Sequence, residues 1–330
     1  MNEKNNKGIA YAGTGERALG WLKRNSGILA LLLVEIVFLS LVSDVFLTKT
    51  NIINVVRQCS TTMYMGCAVT CVMIIGGIDL SVGSIMAISA VGATLLSEAG
   101  MPFAVCLLAG LAIGAGIGVI NGSIMAYTAL PPFIVTYALQ SIFRGFTYII
   151  TGGQAIRITN EGYLNMGSGF LGFLPLPVIY LLICVLVTWY VLNQSKTGRH
   201  MFAIGGNIKA AEFAGINIKK IKIFVYAFSG LMAALAGMVM ASRAVSGQPT
   251  LGQGAEMDAV AAVVLGGTSM AGGKGSIGGT VIGALIIALI NNGLNLLGVD
   301  GYWQYVAKGL VIIVAVWIDM SRASRMQKAA

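Results

Sequence analysis

The residues that could do chemistry are few and badly placed for catalysis. The 330-residue chain holds 12 acids and one histidine, His200, which stands beside Arg199 in a basic stretch and reads as a solvated loop residue. No Ser/His/Asp set can be built around it, and no H-E-x-x-H occurs. The five cysteines, Cys59, Cys67, Cys71, Cys106 and Cys184, fall in apolar runs without metal-ligand spacing. They read as small buried hydrophobes. The segment 265–279 resembles a phosphate loop but fails as one. Such a loop needs Gly, four residues, then Gly-Lys-Ser/Thr; here Thr268 takes the first position and Gly275 follows Lys274. Nucleotide binding by this chain is rejected, so neither ATP nor Mg²⁺ is expected on it, and no metal site is expected.

What remains is the chemistry of polar groups inside apolar runs. Asp79, Ser81 and Ser84 lie in Gly76-Gly77-Ile78-Asp79-Leu80-Ser81-Val82-Gly83-Ser84. Two readings stand. Asp79 and Ser81 cap the following helix at a membrane boundary, or the segment dips into the bilayer and shapes a pathway or gate, where a carboxylate must face protein or water. Asn121, Thr136, Gln140, Ser141, Arg144, Asn291, Asn292 and Asn295 also sit in apolar runs. Amides and hydroxyls there bond neighbouring helices or offer hydrogen bonds to a passing polyol. Arg144 needs a carboxylate or backbone partner, for which Glu35 and Asp79 are candidates. Asn121, Arg144, Asn291, Asn292 and Asn295 join Asp79, Ser81 and Ser84 as candidates for a pathway or gate.

The elements that must position these residues are set by composition. Hydrophobic residues make up 57% of the chain and charged residues 10%, far below the roughly 25% charge of a soluble domain. The bilayer is the fitting solvent, and a spanning helix needs about 20 apolar residues. Apolar runs fall near 27–47, 58–77, 81–97, 103–127, 132–151, 173–193, 222–242, 256–266, 277–298 and 301–319. The expected fold is an all-α integral membrane protein of about ten transmembrane helices, with glycine-interrupted segments near 76–84 and 265–279. Residues 1–26 are expected to form a cytoplasmic tail before a retained first span, 27–320 the membrane domain, and 321–330 a second cytoplasmic tail.

The net charge of +9 is explained by topology rather than by nucleic acid. Ten spans put 15 of the 21 Lys and Arg on one side: those of both tails, Lys274, and Lys196, Arg199, Lys209, Lys219, Lys220 and Lys222 of the loop 194–221. Lys49, Arg57, Arg157 and Arg243 fall on the other side. The asymmetry makes both termini and the 194–221 loop cytoplasmic. Trp21, Phe46, Trp189, Tyr190, Tyr302, Trp303 and Trp317 mark span ends, as an interfacial belt does. The two Gly-Gly breaks, at 76–77 and 266–267, also suggest an internal repeat.

Within the basic loop, Asn207 is a good N-cap and Gly215 a good C′ residue. One short helix is expected between them, with Lys209, Glu212 and Phe213 exposed. It is either an ordinary interhelical loop or a docking knob.

Three blocks carry a family resemblance over nearly the whole chain. They are 77–84; Gly205-Gly206-Asn207 with Ala210-Ala211 and Gly215-Ile216; and the stretch from Gln248-Pro249-Thr250 through Gly266-Gly267-Thr268 and Asn291-Asn292-Gly293-Leu294-Asn295. The chain resembles the permease subunit of bacterial ribose-type ABC importers. The resemblance implies a multi-pass protein of the bacterial inner membrane that contacts lipid and pairs with a second permease copy. It implies two cytosolic ATPase subunits, which carry ATP and Mg²⁺, and an extracytoplasmic sugar-binding protein. The chain itself is then not an enzyme. The resemblance makes 205–216 the coupling helix, with Gly198, Arg199, Gly205, Gly206, Asn207, Ala210, Ala211, Glu212 and Gly215 as its contact candidates. Permeases for xylose, allose and furanoses share these signatures, and the expected cargo is ribose or another pentose. The alternative is an ion-coupled secondary sugar transporter. It would want buried carboxylates, and only Glu35 and Asp79 qualify on sequence.

Overall fold

The computed structural model describes residues 26–307 together with 309, 310, 313 and 317. Nearly all of the first tail, part of the expected tenth span and the tail from 321 lie outside the described residues. Apolar stretches without internal proline become helices, and prolines sit where a missing N–H costs nothing. Pro132 opens α5, and Pro175 and Pro177 flank the start of α7.

Nine helices among the described residues take the places of the first nine expected spans. They are α1 (Ser26–Val42), α2 (Lys49–Ile74), α3 (Val82–Glu98), α4 (Phe103–Tyr127), α5 (Pro132–Thr151), α7 (Leu176–Asn193), α10 (Ile218–Ala244), α11 (Ala255–Leu265) and α12 (Ile277–Leu296). Of these, α4, α5, α7, α10 and α12 are long and apolar enough to cross a membrane, and α1 and α3 are apolar but shorter. Leu33, Leu41, Leu108, Ile149 and Leu186 are each more than 60% exposed, as side chains solvated by lipid would be.

α2 begins nine residues before the run that announced it. Lys49, Asn51, Arg57 and Gln58 hide its first half from a hydropathy reading. It is nevertheless the central helix: Cys59 through Ile74 are all buried, against α10, α12, α11 and α7. Its polar groups are matched by partners. The Thr70 and Thr280 hydroxyls lie 2.7 Å apart. Asn51 and Asn292 exchange amide hydrogen bonds of 3.1 and 2.8 Å. All five cysteines are buried and free.

α4 and α10 meet along a seam of glycines. A Cβ on Gly114 or Gly118 would strike the carbonyl oxygen of Gly230 or of Tyr226, and one on Gly230 would strike that of Gly114. Gly110, Gly114, Gly118 and Gly122 recur every fourth residue. That small-residue stripe lets two backbones touch.

Short elements close the two ends of the bundle. At one end lie α6 (Glu161–Ser168), the hairpin β2–β3 (Phe170–Leu171, Leu174–Pro175), and β1 (Ile156–Arg157) paired antiparallel with β4 (Ser246–Gly247). These two-residue strands are a small departure from the all-α expectation. Arg57 donates to the Ser168 carbonyl at 2.8 Å and lies over the Phe170 ring. At the opposite end lie α8 (Lys196–Gly206) and α9 (Ile208–Phe213). One helix was expected in this loop; there are two, and His200 belongs to the first, half-buried rather than solvated in a loop.

Candidate functional site

The expected docking segment is a helical elbow. Ser195 caps α8, its Oγ accepting from the Gly198 N–H at 3.0 Å. Gly198 fits because a Cβ there would collide with the Val191 and Leu192 carbonyls. The Arg199 guanidinium is exposed and reaches the Gln194 carbonyl at 3.4 Å. Asn207 then both ends α8 and starts α9. Its N–H donates to the Ala203 carbonyl at 3.0 Å and its Oδ1 accepts from the Ala210 N–H at 3.0 Å. Ala211 faces inward at 3% exposure, Gly215 follows the helix with φ of 78°, and Lys209, Ala210 and Glu212 face out. Phe213 is 91% exposed.

The elbow is seated on both glycine breaks. The Gly273 N–H donates to the Ile74 carbonyl, the last of α2, at 2.9 Å. Gly205 packs so tightly on that same carbonyl and on Gly273 N that a Cβ has no room. Gly272, at φ of 87°, backs onto Gly76 and the Gly205 carbonyl, and Gly273 backs onto Gly206. Two turns, at Gly76 and at Gly272, far apart in sequence, thus meet under α8. Gly206 itself has open space where its Cβ would be.

Above this seat lies a buried polar knot. Asp79, Ser81 and Ser84 are each 0% exposed. Asp79 does not cap α3. The N-cap is Ser81, which makes no side-chain cap bond. Asp79 Oδ1 instead accepts from the Ser81 N–H at 3.0 Å and the Ser81 hydroxyl at 2.5 Å, while Oδ2 accepts from the Ser229 hydroxyl of α10 at 2.7 Å. Asn121 of α4 donates to Ser81 Oγ at 2.6 Å, and Thr136 of α5 donates to the Ile78 carbonyl at 3.2 Å. Ser84 Oγ turns back to the Ser81 carbonyl at 2.8 Å. The 76–84 segment therefore ties α3, α4, α5 and α10 together.

The other polar candidates lie elsewhere. Arg144 finds neither Glu35 nor Asp79; its Nη1 donates to the Pro249 and Leu251 carbonyls at 2.5 and 2.8 Å, and Glu256 is the nearby charge. Gln140 donates to Glu256 at 3.0 Å. Asn291 donates to Asp258 Oδ2 at 3.3 Å. Asn292 is spent on Asn51. Asn295 is exposed and accepts from Gln304 at 2.9 Å. Glu35 is half-buried on α1.

Glu256 and Asp258 were missed by the sequence reading. They open the short apolar run and so looked like span-end residues, yet they are 6% and 8% exposed. Asp79 is thus joined by Glu256 and Asp258 as a buried carboxylate, whereas Glu35 is only half-buried. Their signal was present: Glu256 and Asp258 are two acids in the first turn of a helix whose remaining residues are apolar.

The comparisons with known proteins agree on the class. Residues 51–316 match the family model described as "branched-chain amino acid transport system / permease component". The chain is 42% identical to the ribose import permease of Escherichia coli K12 over 306 residues, which covers 91% of this chain and 94% of that one. It is 39% identical to the D-allose transport system permease of the same organism, covering 92% and 93%. A solved metal-chelate-type ABC transporter in an inward-facing conformation shares the fold, with a TM-score of 0.53 at 16% identity over 89% of this chain and 99% of that one. The chain belongs to the ribose-type family of ABC sugar-importer permeases, multi-pass membrane subunits that are not themselves enzymes.

Proposed function

We propose that this chain carries a monosaccharide, ribose or a related pentose, across the bacterial inner membrane on energy supplied by a separate ATPase. The observation that carries the reading is the α8–α9 elbow, with Phe213 exposed on one side and both glycine turns held on the other. A segment packed this way can receive a push and deliver it to two helix hairpins, α2–α3 and α11–α12. The sugar itself is supported by the relatives named for ribose.

In this reading α8, α9 and both tails face the cytosol, where the Lys and Arg excess collects. A cytosolic ABC ATPase binds the elbow through Phe213, Lys209 and Glu212. An extracytoplasmic sugar-binding protein docks at the α6 and β1–β4 end. A second copy of the chain completes the pair by two-fold symmetry, the common geometry for such assemblies. Closure of the ATPases moves the elbows, and the seat passes that motion to the spans.

The test is gentle solubilisation of the tagged chain and identification of what accompanies it, followed by uptake of labelled sugars by the recovered complex. A stoichiometric P-loop ATPase and ATP-dependent pentose uptake are expected. Recovery of the chain alone in several mild detergents, with uptake that survives ATP depletion but collapses with an uncoupler, would replace this reading with ion-coupled transport. Asn207→Pro, which removes the N–H bonded to Ala203, is expected to abolish ATP-driven uptake at normal expression.

A further inference from the structure

The elbow end of the bundle carries a basic patch that force transfer does not use. α10 opens as Ile218-Lys219-Lys220-Ile221-Lys222, with no acid in its first turn. Between Glu161 and Glu256 the sequence holds a single acid, Glu212. The three lysines end differently. Lys222 Nζ donates to the Met125 carbonyl, near the end of α4, at 2.9 Å. Lys219 Nζ lies 4.6 Å from the centroid of the ring of Tyr127, the last residue of α4. A ring face steadies a cation without neutralising it. Lys220 is exposed. Among the described residues no carboxylate pairs with Lys219 or Lys220.

An aromatic strip continues the patch into the membrane. Residues four apart share a helix face, so Lys220, Phe224 and Phe228 follow one another down α10. Phe224 is exposed and Phe228 half-buried, and their rings lie parallel at 6.3 Å. The rings sit about 6 and 12 Å beyond Lys220, at 1.5 Å per residue. Tyr127 ends a long apolar span and is exposed, as a residue of the interfacial belt is. Lys219, stacked on it, is therefore at headgroup level, and the two phenyl rings are at the level of the acyl chains. A neutral lipid covers the rings and leaves the lysines unanswered. An acidic protein surface answers the lysines and stops at the boundary. An amphiphile with an anionic head does both.

We propose that Lys219, Lys220, Phe224 and Phe228 form a binding site for an anionic phospholipid. The headgroup phosphate lies between the two ammonium groups and an acyl chain lies along the two rings. Asn217, which caps α10 by accepting from the Lys220 N–H at 3.0 Å, connects this site to the end of the elbow at Gly215. The site does not depend on which sugar the chain carries.

The test is lipid-selective quenching in the full complex, reconstituted in phosphatidylcholine nanodiscs. Phe224→Trp supplies the fluorophore, and the wild-type complex gives the background of the native tryptophans. Each disc contains a small fraction of brominated-chain lipid, either phosphatidylglycerol or phosphatidylcholine. A lysine at the membrane surface favours an anionic lipid about fivefold, so two should enrich scarce phosphatidylglycerol beside the tryptophan about 25-fold. Brominated phosphatidylglycerol should therefore quench far more than the same fraction of brominated phosphatidylcholine. Lys219→Gln with Lys220→Gln should level the two lipids, and Lys49→Gln, an exposed lysine at the opposite boundary, should not. High salt should level them on the unmodified lysines, which tests the site without the double variant. Equal quenching by the two lipids at low salt overturns the proposal, as does a preference that survives loss of both lysines. A preference seen in the permease alone and lost once the ATPase is bound overturns it too, and assigns the lysines to the protein partner.

Discussion

Gly205 and Gly206 are neighbours in one helix, but the structure predicts opposite fates for them. In α8 an alanine replacing a glycine gains about 0.5–1 kcal/mol of helix stability. At Gly206 nothing stands within 4 Å of the new Cβ, so that gain is kept. At Gly205 the Cβ lands on the Ile74 carbonyl and on Gly273 N, both backbone atoms that cannot swing aside. Either α8 lifts off its seat or the 2.9 Å bond from Gly273 N to Ile74 O breaks. Overpacking of this kind costs about 1–3 kcal/mol and the lost bond about 1 kcal/mol. Gly205→Ala should therefore be destabilised by about 1–3 kcal/mol net, with Gly206→Ala neutral or slightly stabilised. The assay is thermal unfolding of each purified variant in one detergent, with sugar uptake per ATP hydrolysed measured on reconstituted complexes. Gly205→Ala should melt earlier and lose coupling. If it matches Gly206→Ala in both measurements, the seat is not a rigid contact and the reasoning about force transfer fails.

Three other perturbations separate structure from docking. Asp79→Ala strands the Ser81 and Ser229 donors in a fully buried place and should cost at least about 3 kcal/mol, read as lost folded yield and melting temperature; Asp79→Asn, which keeps an acceptor, should cost less. The Asn51–Asn292 pair should show a coupling energy of about 0.6–1.7 kcal/mol in a double-mutant cycle with alanine, measured by unfolding in detergent; strict additivity would refute the reciprocal bond. Phe213→Ala should leave stability within about 0.5 kcal/mol of wild type while reducing ATPase recovery in co-purification, since the ring touches so little of its own chain.

The sequence announced the helices well where a bilayer had selected them, as in α4, α5 and α7, because lipid-facing residues must be apolar on every exposed side. It announced α2 badly for the converse reason. A helix wrapped by other helices is free to be polar wherever partners exist, and Asn51 and Arg57, paired with Asn292 and the Ser168 carbonyl, disguised its first turns. The α9 cap and its Gly215 stop were legible because capping is local chemistry. The partners of Arg144 were not, because carbonyls of a distant loop leave no mark in composition. Glu256 and Asp258 were visible but were misread as boundary charges, since burial by neighbouring helices cannot be read from one helix's own pattern. The glycine stripe 110–122 was visible too, a spacing of four inside an apolar run, and went unused.

That stripe bounds how the chain can work. Where α4 and α10 touch, carbonyls and α-carbons face each other with few side chains between them. Side-chain contacts can ratchet between rotamers, whereas a bare-backbone contact has no intermediate positions to occupy. The pair behaves as a stator, a fixed frame shared with α3 and α5 through the Asp79 knot. Of the two hairpins that the elbow touches, α2–α3 is held in that frame by the knot, so rearrangement during a transport cycle is left to α11–α12 and to the joints on either side of α11, whose eleven residues make it the shortest of the nine bundle helices.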